Sequence, residues 1–418
     1  MQQDAEWDIA ALRRSMRLLG AHSTHVANVQ STARALRLVW DMLQRRGIPT
    51  ELFQLPGLMP LMIAGRGPVL VNTFIDDSSP LASAESNEPP TIVDEMARGP
   101  GVTRKAGVLG TLGAFLRQPS IANEATLVIE ADRHAGSAAL EAWLQTTAPS
   151  RPVAVYEVAD LPVVAPMLYT AATGVIQLDI SIERDPSAVE QLYGGVLPDV
   201  GHQLVEAVSA LKSRDAEVLI PGFYDDVSPP DAAGMVALND VASSVGAWIA
   251  RYASPTHDLL NASHLTLGVF CAPALLVREL EMAPAGPYLS RSARATIELR
   301  VMPGQHTDAL IASIRSFVTD RVPDARVEPL LVRRATAGWT GALPDLGVAT
   351  LPVSPGDSPA GLFDAAGIPT LGYATVHRDP SAVEESASLR AVLDASTFVT
   401  SIITSLSVQT AHRRTTAR

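Results

Sequence analysis

The sequence has one cysteine, Cys271, in 418 residues. A single cysteine excludes an internal disulfide and a thiolate metal cluster, and it fits a reducing compartment. Cys271 lies in the apolar run 265–276, and we interpret it as a core residue rather than a nucleophile.

Positive charge is also scarce, since 32 lysine and arginine residues stand against 44 aspartate and glutamate residues, for a formal net charge of -12. A basic surface for nucleic acid or an anionic membrane is therefore not expected. No apolar run approaches the ~20 residues that cross a bilayer. Residues 1–6 are polar and acidic, without the pattern of a secretory signal. We expect a cytoplasmic protein without nucleic-acid or membrane partners.

The first part of the chain alternates apolar strands with helices. Strands are predicted at 69–74, 125–130 and 152–158, with helices at 105–116 and 137–144. This alternation predicts an α/β domain with a mostly parallel central sheet covered by helices. With 47% hydrophobic residues, a chain of this length can bury the cores of two domains.

The pattern changes after residue 170, where two strand-helix-strand units follow each other. Their predicted elements are strand 175–182, helix 200–212, strands 274–279 and 293–301, helix 307–321 and strand 325–332. This order predicts a ferredoxin-like α+β domain. We therefore predict a discontinuous α/β domain, 1–170 with 341–418, and an inserted domain, 171–340.

Four segments carry a resemblance to a known family. They read LIPGFYDDV at 219–227, SARATIELRVMPGQ at 292–305, EADRHAGS at 130–137 and GDS at 356–358. Together they resemble the dinuclear zinc dipeptidases, the family of carnosine dipeptidase, aminoacylase and succinyl-diaminopimelate desuccinylase. The resemblance implies a zinc-exopeptidase-like three-layer domain, an inserted lid domain that forms a homodimer, and an amino-acid- or peptide-like substrate.

The positions at which this family binds zinc hold other residues here. The strand that delivers His-x-Asp has Thr73 and Ile75 at those places, and only a slip of one residue would bring Asp76 to the metal. The bridging aspartate corresponds to Thr103 or Arg104. Without that bridge two divalent cations would repel each other with little compensation.

The remaining family positions are changed as well. The general-base glutamate and the ligand after it correspond to Arg133 and His134, and a guanidinium cannot accept a proton at neutral pH. The last two ligands correspond to Glu157 or Val158 and to Ser381. We therefore expect no metal and no other cofactor. His377, Asp379, Glu384 and Glu385 are near the last position and leave a relocated metal site open.

The resemblance also indicates which residues would meet a substrate. Arg300 matches the arginine that grips a substrate carboxylate, and Ser358 matches the serine of a Gly-Gly-Ser turn. Arg104 and Asp76 complete the predicted substrate-binding set. The predicted catalytic set is His134, Asp132, Arg133 and Lys105, with His134 beside Asp132 as the proton-exchanging pair.

Three functions stay open at this point. The first is metal-independent acid–base or acyl chemistry on an amino-acid- or peptide-like carboxylate. The second is a non-catalytic binding or scaffolding subunit, and the third is a zinc dipeptidase with relocated ligands. Abundant alanine, arginine and valine with few lysines suggest a GC-rich bacterial genome, in which such hydrolases often serve specialised metabolism.

Overall fold

The computed structural model describes residues 7–25, 28–77, 88–147, 151–158, 166–184, 189–215, 217–250, 262–283, 286–356, 358–375 and 385–416. The chain divides into two compact units. The first consists of Met1–Ala172, Pro230–Phe270 and Ala337–Arg418, and the second of Thr173–Pro229 and Cys271–Thr336.

Helices and strands alternate through most of the described chain. The α-helices are α1 (Ile9–Gly20), α2 (Val29–Arg45), α3 (Val102–Arg117), α4 (Ala138–Thr147), α5 (Val200–Ser209), α6 (Ala232–Ala250), α7 (Ala262–Phe270), α8 (Thr307–Thr319), α9 (Ala360–Ala365) and α10 (Leu389–Thr416). The strands are β1 (Thr50–Phe53), β2 (Leu61–Gly65), β3 (Val69–Phe74), β4 (Thr91–Val93), β5 (Met96–Arg98), β6 (Ala125–Glu130), β7 (Val153–Glu157), β8 (Met167–Ala172), β9 (Gly174–Glu183), β10 (Ala274–Met282), β11 (Ser292–Val301), β12 (Arg326–Arg333), β13 (Ala349–Ser354), β14 (Thr370–Ala374) and β15 (Ser386–Ser388).

The first unit is built on an eight-stranded sheet with the order β1-β2-β6-β3-β7-β14-β8-β13. Its central pairs β6–β3, β3–β7 and β7–β14 are parallel. Every residue of β3, β6 and β7 is buried, as expected for strands covered on both faces. The predicted α/β class with a mostly parallel sheet is confirmed.

Helices α3 and α10 approach each other closely in the core of this unit. Gly110 and Gly113 of α3 face Ala395 and Ser396 of α10, where an added Cβ would lie 2.9 Å from Ala395 Cβ and 2.0 Å from Ser396 Oγ. These two glycines therefore set the distance between the helices.

Helix α10 contains a long apolar segment, although no apolar run close to ~20 residues was predicted from the sequence. The 23 residues Leu389–Ala411 could span a membrane by length and composition alone, a test that core helices of soluble proteins also pass. Here Val392, Val399 and Ile402 are fully buried in the core that α10 shares with α3. Packing within the unit accounts for this apolar face.

The second unit has the connectivity of a ferredoxin-like fold. Its antiparallel sheet has the order β10-β11-β9-β12, and α5 and α8 contribute to a core with the alternate residues of β9 and β11. The two motifs of the family resemblance in this unit meet directly, since Gln305 Nε2 donates a 2.6 Å hydrogen bond to the Phe223 carbonyl. The predicted α+β insertion is confirmed.

The boundaries of the two units differ from the predicted ones at one segment. Residues 230–270, which we assigned to the inserted domain, belong to the first unit because α6 and α7 pack against β13 of the large sheet.

The second unit has an exposed edge strand, β10, on which Leu276 and Leu280 are half exposed. The expected homodimer through this unit stays a prediction.

Replacing Gly113 by alanine is expected to lower the free energy of unfolding by about 1 to 3 kcal/mol, because the new methyl group would overpack the contact between α3 and α10. The matched control is Gly268→Ala in α7, where nothing lies within 4 Å of an added Cβ. The control should be neutral or stabilise by up to about 1 kcal/mol, since alanine favours a helix. Urea unfolding followed by circular dichroism measures both variants, and equal effects would contradict the tight contact.

Candidate functional site

Three parallel strands of the first unit end side by side, and the last residue of two of them is a buried glutamate. The strands β6, β3 and β7 are neighbours, and their last residues are Glu130, Phe74 and Glu157. Ligand sites of open α/β sheets lie at the carboxyl ends of the strands. The loop after β3, the turn after β6 and the first turn of α3 add further polar residues at this edge.

Two guanidinium groups and one imidazole surround the buried ring of Phe74. The Cζ atoms of Arg104 and Arg133 lie 3.8 Å and 4.4 Å from the centre of the ring. The His134 ring meets it edge-on, with 5.3 Å between the ring centres. Such contacts stabilise a desolvated cation by about 2 kcal/mol each.

The Arg104 guanidinium is held by a carboxylate at the end of β7. Its Nη2 atom lies 2.5 Å from Glu157 Oε1, and the Thr73 hydroxyl donates to Glu157 Oε2. Gly107 makes this pair possible, because a Cβ there would lie 2.1 Å from Glu157 Oε1. Arg104 was predicted to bind substrate, but its guanidinium is buried and paired within the protein.

The Arg133 guanidinium is paired in the same way at the end of β6. Its Nε and Nη2 atoms lie 2.8 Å and 2.6 Å from Glu130 Oε1, and Nη2 also donates to Asn72 Oδ1. Only 1% of Arg133 is exposed. The residue predicted to be catalytic is therefore part of an internal ion pair.

His134 is held by Asp76. The His134 Nδ1 atom lies 3.1 Å from Asp76 Oδ2, which also accepts the His134 backbone N–H at 2.8 Å, while Asp76 Oδ1 accepts the Arg133 N–H at 3.0 Å. Burial alone would raise the pKa of Asp76, but these bonds and the charge of His134 outweigh burial and lower it. With Nδ1–H donating to Asp76, Nε2 is the acceptor nitrogen of the imidazole.

Asp76 and Asp132 have different surroundings. Asp76, predicted to bind substrate, is 0% exposed and is bonded to the turn that carries His134. Asp132, predicted to lie beside His134, turns instead to the start of α4, where its Oδ2 accepts the Ala139 N–H at 3.1 Å. Asp132 Oδ1 has no hydrogen-bond partner among the described residues.

Burial raises the pKa of Asp132 to about 6. The Ala139 N–H acts in the opposite direction, while the negative charges of Glu130 and Asp76 raise the pKa further. A carboxyl group with such a pKa exchanges a proton close to neutral pH.

Lys105, the last of the predicted catalytic residues, lies on a different side of α3 from Arg104. It is 2% exposed, and the charges that act on it are those of Asp77 and Glu385. Glu385 in turn accepts bonds from the Thr103 backbone N–H and hydroxyl at 3.2 Å and 2.7 Å. Burial lowers the pKa of Lys105 against the effect of both carboxylates.

Two predicted substrate-binding residues lie elsewhere. In the second unit, Arg300 donates from Nε and Nη2 to the Ala272 carbonyl at 3.1 Å and 2.8 Å. In the first unit, Ser358 is buried at the start of α9 and accepts the Ala360 N–H at 3.4 Å.

Cys271, which was predicted to be a core residue, is only half-buried. Burial raises the pKa of its thiol to about 11.

The residues that complete the buried network were not predicted to do so from the sequence. Phe74 was assigned only to a strand, Glu130 to a strand and to the motif at 130–137 without a role of its own, and Glu157 and Glu385 only to approximate or relocated ligand positions. The signal that could have found the first three is their place as the last residue of an apolar strand. His377, Asp379, Ser381 and Glu384 lie outside the described residues.

The described side chains do not fit a pair of zinc ions. Within the ranges that the structure describes, no three His, Cys, Asp or Glu side chains form a group that could hold a metal. The residues that the resemblance assigned to ligand positions include Thr73, whose hydroxyl bonds Glu157, the buried Ile75, and the paired Arg104. A guanidinium cannot be a ligand, and it repels a cation.

Comparison with solved structures defines the class of fold. The chain has the fold of the M20 family of metallopeptidases. Similar structures are an M20 metallo-carboxypeptidase, Sso-CP2, from Sulfolobus solfataricus (TM-score 0.79, 16% identity, 98% of this chain and 100% of that chain) and human carnosine dipeptidase 1 (TM-score 0.73, 14% identity, 96% and 97%). The dipeptidase Dug1p from Saccharomyces cerevisiae follows (TM-score 0.72, 14% identity, 95% and 95%).

Sequence comparison adds nothing to this likeness. No protein-family model matches the chain, and no curated protein matches it. At 14% to 16% identity the solved structures share the fold, and the chemistry has to be argued from the residues of this chain.

Replacing Glu157 by glutamine is expected to lower the free energy of unfolding by about 3 to 5 kcal/mol, because the Arg104 charge would stay buried without a partner. The matched control is Asp41→Asn, which removes the exposed Arg37–Asp41 pair on α2. Its expected effect is at most about 0.5 kcal/mol. Urea unfolding measures both, and a small loss in Glu157→Gln would show that the pair is not required for stability.

Asp132→Asn is expected to change how stability depends on pH. The folded pKa of about 6 lies above the ordinary value of 3.8, so Asp132 costs stability as pH rises through this interval, and the cost is complete above it. The variant should match the wild type below pH 4 and be more stable by up to about 3 kcal/mol at pH 7. Unfolding curves from pH 4 to 8 test this, and a difference independent of pH would contradict it.

Proposed function

We propose that the chain is a metal-independent enzyme that acts on an acyl or amide group of an amino-acid- or peptide-like carboxylate, with His134 as the acid–base group. The observation that carries the proposal is the Asp76–His134 pair at the carboxyl end of β3. Histidine is the usual side chain for proton transfer near neutral pH. A buried carboxylate on Nδ1 orients the ring and selects the tautomer with an acceptor at Nε2.

The exposure of the pair supports these roles. The Asp76 side chain is fully buried, whereas 21% of the His134 side chain is exposed. Asp76 is a positioning residue in this proposal, because it acts through His134 and does not reach a substrate.

The substrate class rests on the likeness of the fold to peptidases and on two motif matches. Arg300 and Ser358 are kept as substrate-binding residues on the resemblance of their motifs alone. Loss of the zinc pair is part of the proposal and is supported by the cationic and neutral side chains at the ligand positions. A role in bacterial specialised metabolism rests on composition only.

A non-catalytic binding or scaffolding subunit is the second candidate, and one observation favours it. The guanidinium groups of Arg104 and Arg133, which could stabilise an oxyanion, are both buried and paired with carboxylates. The third candidate, a zinc hydrolase with relocated ligands, would need residues of the range 376–384.

The test uses a panel of dipeptides and N-acyl amino acids, with turnover followed by mass spectrometry in the presence and absence of EDTA. We expect turnover that EDTA does not reduce. His134→Ala should lower it by at least about 100-fold, the usual contribution of a general acid or base. Asp76→Asn should shift the pH profile as well as the rate. His202→Ala, at an exposed position of α5, is the matched control and should keep full activity.

Each other outcome selects a different candidate. Full activity in His134→Ala would refute the proposed role of the imidazole. Binding of panel members without turnover would favour the non-catalytic subunit. Activity that EDTA abolishes, together with two zinc equivalents by elemental analysis, would establish the relocated zinc site.

A further inference from the structure

Phe74 is the aromatic residue at the edge of the sheet that carries the site, and its backbone is fixed on both sides. It is the last residue of β3, where it pairs with Glu130 of the parallel strand β6. The next residue, Ile75, donates its N–H to the Glu130 carbonyl at 2.9 Å. Only 3% of Phe74 is exposed. The ring therefore has a fixed point of attachment and is enclosed by the protein.

Hydrogen bonds to Asp76 hold the His134 ring at one point only. The backbone N–H and the Nδ1 atom of His134 bond the same oxygen, Asp76 Oδ2, at 2.8 Å and 3.1 Å. A single acceptor atom sets the distance of the imidazole but leaves the ring free to turn about the line from Nδ1 to Oδ2. Either nitrogen of a neutral imidazole can carry the proton, so a second contact is needed to keep Nδ1–H on the carboxylate.

The Phe74 ring supplies this second contact. It meets the imidazole of His134 edge-on, with 5.3 Å between the ring centres and 68° between the ring planes. Edge-to-face contact is a preferred arrangement of two aromatic rings, and it restricts the plane of the imidazole. Because 21% of the His134 side chain is exposed, burial alone does not fix this plane.

The Phe74 ring is itself held by two cations. The Cζ atoms of Arg104 and Arg133 lie 3.8 Å and 4.4 Å from its centre, and each guanidinium is bonded to the glutamate that ends a neighbouring strand. An aliphatic side chain at this position would offer no π face to the guanidinium groups and no aromatic contact to the imidazole. A residue that only filled space in the core would not need to be aromatic.

We propose that Phe74 is a positioning residue for His134. Together with Asp76 it holds the imidazole with Nδ1–H on the carboxylate and with Nε2 as the acceptor nitrogen. The inference rests on the proposed function in one respect, because this orientation matters for turnover only if His134 is the acid–base group. The orientation itself can be measured without turnover, so the two claims are tested separately.

NMR of the imidazole nitrogens tests this role, because a nitrogen that carries a proton and one that does not resonate far apart. The His134 signals are assigned by their loss in His134→Ala, at about pH 8.5, roughly two units above the ordinary pKa of histidine. In Phe74→Leu we expect the Nδ1 and Nε2 signals to move toward each other. The reason is that a ring that turns freely shares its proton between both nitrogens.

The matched control is Phe115→Leu. Phe115 is also buried, but it lies eleven positions after Arg104 on α3, about 16 Å along the helix axis. Its replacement should lower the urea midpoint of unfolding, as Phe74→Leu does, but leave the His134 signals unchanged. If Phe74→Leu does not fold, Phe74→Met replaces it, with Phe115→Met as its control, and the same result is expected.

Turnover gives a second readout. With a substrate of the wild type, kcat of Phe74→Leu should fall by at least about tenfold while KM stays the same, because a misplaced general base is felt in the transition state. The proposal is overturned by unchanged His134 signals in a folded Phe74 variant, by equal changes in the Phe115 variant, or by an unchanged kcat. A wild type without turnover would refute the proposed function instead, and the NMR result alone would then decide whether Phe74 orients His134.

Discussion

The site depends on the burial of two guanidinium groups. Removing a charge from water costs several kcal/mol, so Arg104 and Arg133 can stay buried only beside carboxylates. Glu157 and Glu130 supply these carboxylates from the last positions of β7 and β6, with Phe74 between them at the end of β3. The pairs tie the first turn of α3 and the turn after β6 to the sheet. Both oxygens of Glu157 are engaged within the protein, one by the Thr73 hydroxyl and one by Arg104.

The two consecutive aspartates after β3 serve different parts of this edge. Asp76 binds the turn that carries His134, whereas Asp77 lies near Lys105 and is fastened to Thr24. Neighbouring residues of an extended segment point to opposite sides, which explains how adjacent carboxylates reach separate groups. One loop therefore organises two chemically different positions, an imidazole with an oriented acceptor nitrogen and the buried amine of Lys105.

Sequence patterns predicted the fold better than the site. The strands at 69–74 and 125–130 were placed to the residue, because each is a short, mostly apolar segment rich in β-branched residues. Strand β13 was missed, since its short segment contains a proline and lacks a clear period. The partner of His134 could not be read from neighbours in sequence. Asp76 is 58 positions away, and only the parallel pairing of β3 with β6 brings the two together.

Buried carboxylates outnumber buried cationic side chains at this edge of the sheet, and this excess affects the protonation of Asp132. In the described part of the first unit the buried cationic side chains are Arg104, Lys105 and Arg133, and the buried carboxylates outnumber them: Asp76, Asp77, Glu130, Asp132, Glu157 and Glu385. An excess of buried negative charge has to be met by cations or by proton uptake. The raised pKa of Asp132 is that response, because Glu130 and Asp76 add to the effect of burial. The group that takes up the proton is Asp132, whose carboxylate turns to the start of α4, whereas Asp76 stays charged beside His134 because the hydrogen bonds from the His134 turn lower its pKa.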